Sequence, residues 1–277
     1  MPKITKWFYP TTIDETLTLL SDNKTEIIAG GTHIATQRYQ SATKMVDITR
    51  IPLNYLKKEK NSLRIGSITT ISDMVESPLT LEVGNGILTK ACKLIADNPL
   101  RNRITLGGNI ARKLPWAGLP VVLLVLDAEI VIIEKEKSEE KIPARIFFEK
   151  EKLNKGKLIK EVIFPIKSSL FTHYEKFRLT TSDYTWLTFA FSAYIDSGII
   201  KDVKFALSRI TKLQRVTAVE EALLGKRIDK IDIQHVISVL RSNISIIADF
   251  RSSKEYRTEL LEVLLKRTIN VMKEETA

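Results

Sequence analysis

Ile27-Ile28-Ala29-Gly30-Gly31-Thr32-His33 and Arg101-Asn102-Arg103-Ile104-Thr105-Leu106-Gly107-Gly108-Asn109-Ile110-Ala111 are the two stretches around which the chain is organised. Each carries an apolar segment into a pair of glycines. Without a side chain the backbone takes positive φ cheaply, and a ligand can come close to the main chain. Successive free N–H groups in such a turn form a small anion-binding concavity. One glycine pair reads equally well as a simple turn. Two pairs with hydroxyl neighbours, Thr32 and Thr105, fit two phosphates of one ligand.

Composition narrows the class. With 277 residues, 44% of them hydrophobic, the chain can bury a sizeable core and form more than one domain. No apolar run approaches the ~20 residues of a membrane span. The opening Met1-Pro2-Lys3-Ile4-Thr5-Lys6-Trp7 lacks an apolar signal core, so the expected location is cytoplasmic. A single cysteine, Cys92, excludes an internal disulfide and a self-contained iron–sulfur cluster. It lies in an apolar helical pattern and reads as a core thiol. The formal charge of +10 raises nucleic-acid binding. Yet bases alternate with acids, as in Lys57-Lys58-Glu59-Lys60, which describes a solvated surface, so no nucleic-acid partner is expected. A basic surface also suits an acidic protein partner or an anionic acceptor.

Periodicity gives the elements. A helix is expected from Thr12 to Leu20, a short buried strand at Ile27–Ala29, and a helix capped by Thr32. Lys44–Ile48 and Leu63–Ile68 read as strands, with Thr70 or Ser72 opening a helix. Leu88–Ile95 and Pro120–Leu126 read as buried helices, Glu129–Ile133 and Leu158–Phe164 as strands, and residues 135–141 as a charged hairpin tip. Trp186–Ile195 and Val203–Ile210 read as antiparallel strands around the turn Asp196-Ser197-Gly198. Helices are expected at Thr217–Leu224 (stopped by Gly225), Asp232–Ile247 and Lys254–Met272. This sequence of elements makes an α+β protein in three parts, 1–55, 56–170 and 171–277.

No nucleophile–base–acid set stands out. His33, His173 and His235 share no metal-ligand spacing, so neither a catalytic set nor a metal site is expected. His235 reads as structural. Arg101 and Arg103 could neutralise phosphate charge or pair with local acids.

Ala29-Gly30-Gly31-Thr32 and Thr105-Leu106-Gly107-Gly108-Asn109 resemble the paired FAD-diphosphate loops of the FAD-binding medium subunits of molybdenum hydroxylases. That family includes carbon monoxide dehydrogenase, xanthine dehydrogenase and aldehyde oxidoreductases. The resemblance continues through Phe8-Tyr9-Pro10, Met45 to Pro52, Leu63 to Thr70 and Asp249 to Arg257. It implies a two-part FAD-binding domain of the vanillyl-alcohol-oxidase/PCMH type, followed by a small α+β domain closing over the flavin. It implies FAD contacts from Ile28, Ala29, Gly30, Gly31, Thr32, His33, Thr105, Gly107, Gly108, Asn109, Ala111, Lys176, Asp183 and Tyr184. Tyr184 would lie over the isoalloxazine, and the flavin would be held without a covalent bond, although His33 follows the first loop directly.

The implied role is electron transfer from iron–sulfur clusters to an external acceptor. Implied partners are a large molybdopterin subunit and a small [2Fe–2S] subunit, assembled as a dimer of heterotrimers. A departure is Gly118, where the family usually carries an Asp near the ribityl side of the flavin. Two other classes stay open on the residues: a free-standing FAD oxidase, against which stands the lack of a catalytic base set and of a substrate domain, and a non-enzymatic basic binding protein.

Overall fold

Thr12 opens the first helix through a reciprocal pair of bonds. Its hydroxyl accepts from the Glu15 amide at 3.2 Å, and the Glu15 carboxylate accepts from the Thr12 amide at 3.3 Å. Two amides that a helix start leaves without partners are thereby satisfied. Thr70 and Asp73 repeat the device further on, so that Thr70 rather than Ser72 opens the helix expected there. The computed structural model describes residues 4–33, 42–135, 139–150, 156–180, 183, 185–249 and 252–276.

In chain order the elements begin with β1 (Lys6–Phe8), α1 (Ile13–Leu20), β2 (Thr25–Ile28), β3 (Lys44–Asp47), β4 (Leu56–Glu59), β5 (Ser62–Gly66) and α2 (Ile71–Glu76). Next come α3 (Ile87–Lys93), α4 (Asn98–Arg101), α5 (Leu106–Ala111), α6 (Leu119–Val125), β6 (Glu129–Ile133), β7 (Glu140–Pro143) and α7 (Ala144–Glu149). The chain continues with β8 (Leu158–Pro165), β9 (Leu170–Phe177), β10 (Leu187–Asp196), β11 (Ile199–Ser208), β12 (Gln214–Arg215), α8 (Thr217–Leu223), α9 (Ile233–Asn243) and α10 (Lys254–Thr276). They group into two compact units. The first holds Met1–Thr80, Ile95–Leu114 and Asp127–Pro165; the second holds Leu81–Leu94, Pro115–Leu126 and Ile166–Ala277.

The first unit contains two sheets. One is parallel, in the order β1-β3-β2, and α1 lays Leu17 against a core that includes Val46, Ile48, Ile51 and Leu53. β2 is half-buried at every position rather than fully buried, because it is an edge strand of that sheet. The other sheet is antiparallel, β4-β5-β8-β6-β7. Inside it the Glu161 carboxylate, 1% exposed, accepts from the Tyr55 hydroxyl at 2.7 Å and from Arg64 Nε at 3.1 Å. Burial pushes the Glu161 carboxyl up, but the bonds from Arg64 and Tyr55 outweigh it and hold it below the ordinary value.

The second unit is a four-stranded antiparallel sheet, β12-β11-β10-β9. Phe171, Leu187, Phe189, Phe191 and Phe205 join a core with Leu261, Leu265 and Ile269 of α10. Ser192 and Thr172, paired across β10 and β9, alternate with those aromatics and so face the other way. Ser192 donates to the Val125 carbonyl at the end of α6 at 2.7 Å, and Thr172 donates to the Gly84 carbonyl at 2.6 Å. All seven residues of α6 are buried, as its unbroken apolar run requires.

Three expectations shift. The β10–β11 turn is the two-residue link Ser197-Gly198, both at positive φ (51° and 73°), so β11 starts at Ile199 rather than Val203. α9 ends at Asn243 rather than near Ile247, because the Ile247 amide donates to the Ile210 carbonyl at 2.7 Å and draws the chain away. His235 lies exposed in the first turn of α9, where its amide donates to Asp232 at 3.1 Å. The helix expected after Thr32 and the tip 136–138 lie outside the described residues.

Candidate functional site

The first glycine pair leaves β2 at once. Ile28 ends the strand, Ala29 packs partly on the core, and Gly31 takes φ +73°, a conformation side-chain-bearing residues avoid. Thr32 and His33 follow in a half-buried turn. Among the described residues the amides of Gly30, Gly31 and Thr32 find no acceptor. This is the open N–H arrangement expected of an anion-binding turn.

The second pair is built differently. Thr105 caps α5, accepting from the Gly108 amide at 3.1 Å. The Leu106 amide donates to the Thr69 carbonyl at 2.9 Å, Gly107 to Ser67 at 2.7 Å, and Asn109 to Thr105 at 2.9 Å. Its amides are therefore committed internally, contrary to the expectation of free N–H groups there. Gly107 is needed for packing, since a Cβ on it would fall 2.9 Å from the Ser67 carbonyl oxygen. Gly108 is exposed, its face bare of side chain. Asn109 Oδ1 and Ser67 Oγ are both buried without a hydrogen-bond partner. Such orphaned buried acceptors and hydroxyls call for a ligand or water. Ala111 ends α5, half-buried.

The two loops touch each other. Arg103 Nε donates to the Gly30 carbonyl at 3.1 Å, and a Cβ on Gly30 would fall 1.5 Å from the Arg103 carbonyl oxygen. Gly30 is thus fixed by its neighbour. Arg112 pairs with Glu26 of β2 at 3.2 Å, tying the end of α5 to the strand that feeds the first loop. Arg101 turns away and donates to the Ile95 and Ala96 carbonyls at 2.9 Å each. Sequence reading missed Ser67 as a member of this cluster. The signal was there in the matching segment Leu63–Thr70, which runs beside the second loop through the Thr70–Thr105 bridge.

In the second unit, Lys176 lies on β9 and donates to the Leu94 carbonyl at the end of α3, at 2.9 Å. Burial pulls its ammonium down to about 8, with Arg178 adding in the same direction. The Asp183 amide donates to the Thr180 carbonyl at 3.2 Å, and Tyr184 lies outside the described residues. The Gly118 carbonyl accepts from the buried Tyr174 hydroxyl at 3.5 Å. The open amides of Gly30–Thr32, the bare face of Gly108 and the orphaned Asn109 and Ser67 oxygens fit a large, polar, phosphate-bearing group such as FAD.

Comparison with known proteins agrees with this chemistry. A family profile described as the FAD binding domain in molybdopterin dehydrogenase matches residues 3–167, and one described as the CO dehydrogenase flavoprotein C-terminal domain matches residues 172–272. The chain is 29% identical over 261 residues to the glyceraldehyde dehydrogenase medium chain of Sulfolobus acidocaldarius, covering 91% of this chain and 92% of that one. It is 26% identical over 282 residues to the carbon monoxide dehydrogenase medium chain of Hydrogenophaga pseudoflava, covering 98% and 97%. The solved structure of carbon monoxide dehydrogenase from that organism superposes with a TM-score of 0.89, covering 98% of this chain and 97% of the matched one. The chain belongs to the family of FAD-binding flavoprotein subunits of molybdopterin dehydrogenases, a family of oxidoreductases. FAD is its cofactor.

Proposed function

We propose that the chain is the cytoplasmic electron-transfer subunit of a dimer of heterotrimers. It takes electrons from [2Fe–2S] clusters on a small subunit, fed by a large molybdopterin subunit, and delivers them to an external acceptor. The designation of both relatives as medium chains supports companion subunits. The observation that carries the reading is the pair of loops joined at Gly30 and Arg103, with open amides on one loop and an orphaned Asn109 oxygen on the other.

When bound, FAD supplies the redox chemistry, while the protein binds and orients it. The open main-chain amides of Gly30, Gly31 and Thr32 would hold the diphosphate, with Ile28 and Ala29 leading into that turn and His33 following it. Thr105 keeps α5 in place, Gly107 lets it pack against Ser67, Gly108 leaves the approach clear, Asn109 would supply a side-chain contact, and Ala111 completes the helix that carries it. The resemblance extends a flavin-contact role to Lys176, Asp183 and Tyr184.

Gly31→Asp and Gly108→Asp should both yield folded protein without FAD. Each puts a carboxylate where the diphosphate would lie, and like charges at close range repel. An added Cβ meets Ile28 Cδ1 at 3.5 Å at Gly31, where φ is +73°, and Thr105 Oγ1 at 2.9 Å at Gly108, so Gly31→Ala and Gly108→Ala are compared alongside to separate backbone strain from charge. Flavin absorbance per chain after purification is the readout. Full occupancy in both aspartate variants would contradict the site.

A further inference from the structure

Arg103 is tied at one end of its guanidinium and open at the other. Its Nε is spent on the Gly30 carbonyl at 3.1 Å, while its terminal nitrogen Nη2 stands 3.7 Å from where a Cβ on Gly31 would be. Among the described residues it forms no ion pair, and its terminal N–H groups have no acceptor. The two arginines nearby in sequence are engaged elsewhere, Arg101 on the Ile95 and Ala96 carbonyls and Arg112 on Glu26. A guanidinium is planar, so fixing Nε also fixes the direction of both terminal amino groups. Here they stand beside Gly31, where the amides of Gly30, Gly31 and Thr32 are open. The amides of Leu106 to Asn109 are all committed, so the second loop contributes little main-chain charge of its own.

We propose that Arg103 is a diphosphate clamp: tied to the first loop through Nε, it grips the diphosphate of the bound dinucleotide with its two terminal amino groups. This rests on the FAD-binding reading and assigns the positive charge of the site to one residue of the second loop. Paired N–H donors on an oxyanion give short, charge-assisted bonds with defined geometry. A lysine could supply the charge but not the tie to Gly30 and two parallel donors together.

The test is titration of the apo chain with FAD, and with ADP as the diphosphate without the flavin, at several salt concentrations. Wild type, Arg103→Lys and Arg103→Met are compared, with melting of each apo protein measured alongside. Arg103→Met should weaken both ligands roughly 10- to 100-fold, the span of hydrogen bonds to a charged group. It should also flatten the salt dependence of binding, since one charge of the site is gone. Arg103→Lys should restore the salt dependence and only part of the affinity. Wild-type affinity and salt slope in Arg103→Met would overturn the clamp. So would weakened binding with an unchanged salt slope and a lowered melting temperature, which would mark a purely structural tie. A wild-type chain that takes up no FAD would overturn the FAD-binding reading itself, and the clamp with it.

Discussion

Lys176 illustrates how much one residue's environment adds to its identity. Its ammonium meets the Leu94 carbonyl at the end of α3, where the helix dipole favours a cation. Burial still wins, and the group titrates at about 8 against about 10.4 for an unfolded lysine. Between those values the unfolded chain holds the extra proton, so this group makes stability rise with pH from about 8 upward. Urea unfolding followed from pH 8 to about 9.5, below the range where tyrosines ionise, should show this contribution as a more positive slope of stability against pH in wild type than in Lys176→Met. An identical slope in both proteins would contradict the buried ammonium. Family resemblance picked out Lys176 from the sequence, but its partner lies 82 residues away and no local pattern points there. The glycines of both loops were legible for a different reason. Gly31 needs positive φ, Gly30 and Gly107 need close backbone approach, and both demands select glycine wherever they occur.

Elements were legible where one physical cause dominated. α6 reads from an unbroken apolar run, and α1 and α2 from their capping threonines. β9 was missed because His173, Glu175 and Lys176 interrupt its apolar pattern. In the fold His173 and Glu175 pair at 2.8 Å and Lys176 finds Leu94, so the polar groups are satisfied and the strand forms. The exposed edge strand β4, Leu-Lys-Lys-Glu, gives no burial pattern to detect. The β5–β8 pairing hides the opposite case, a charged residue inside a sheet. Glu161 of β8 is held by Arg64 of β5 and by Tyr55. Glu161→Ala takes the acceptor from the Tyr55 hydroxyl and from Arg64, which keeps its outer pair with Glu59 at 3.2 Å, so it should cost about 2 kcal/mol in urea denaturation, between an exposed and a fully buried pair. Glu161→Gln, which keeps an acceptor, should cost less. A loss below about 1 kcal/mol for the alanine variant, the scale of an exposed pair, would contradict the buried network.

At the scale of the whole molecule, the matching segments that are scattered in sequence turn out to have local structural jobs. Leu63–Thr70 runs beside the second glycine loop. In the first turn of α10 Arg257, 2% exposed, donates to the Ile247 carbonyl at 2.8 Å and Ser252 Oγ at 2.7 Å and pairs with Asp249. What periodicity could not reveal was the partner of each helix. α3 and α6, read from their own stripes, group with the C-terminal sheet through long-range contacts that a local pattern does not encode. Among the described residues no helix is long and apolar enough to cross a membrane. On the proposed reading, the joined glycine loops hold FAD without a covalent bond. The most direct measurement is the absorbance spectrum of the purified chain, before and after precipitation with trichloroacetic acid. The purified chain should show a flavin spectrum with FAD stoichiometric with the chain, and all of that flavin should appear in the acid supernatant. A colourless chain that takes up no added FAD would contradict the site, and a yellow pellet that becomes colourless in His33→Ala would contradict the non-covalent mode of binding.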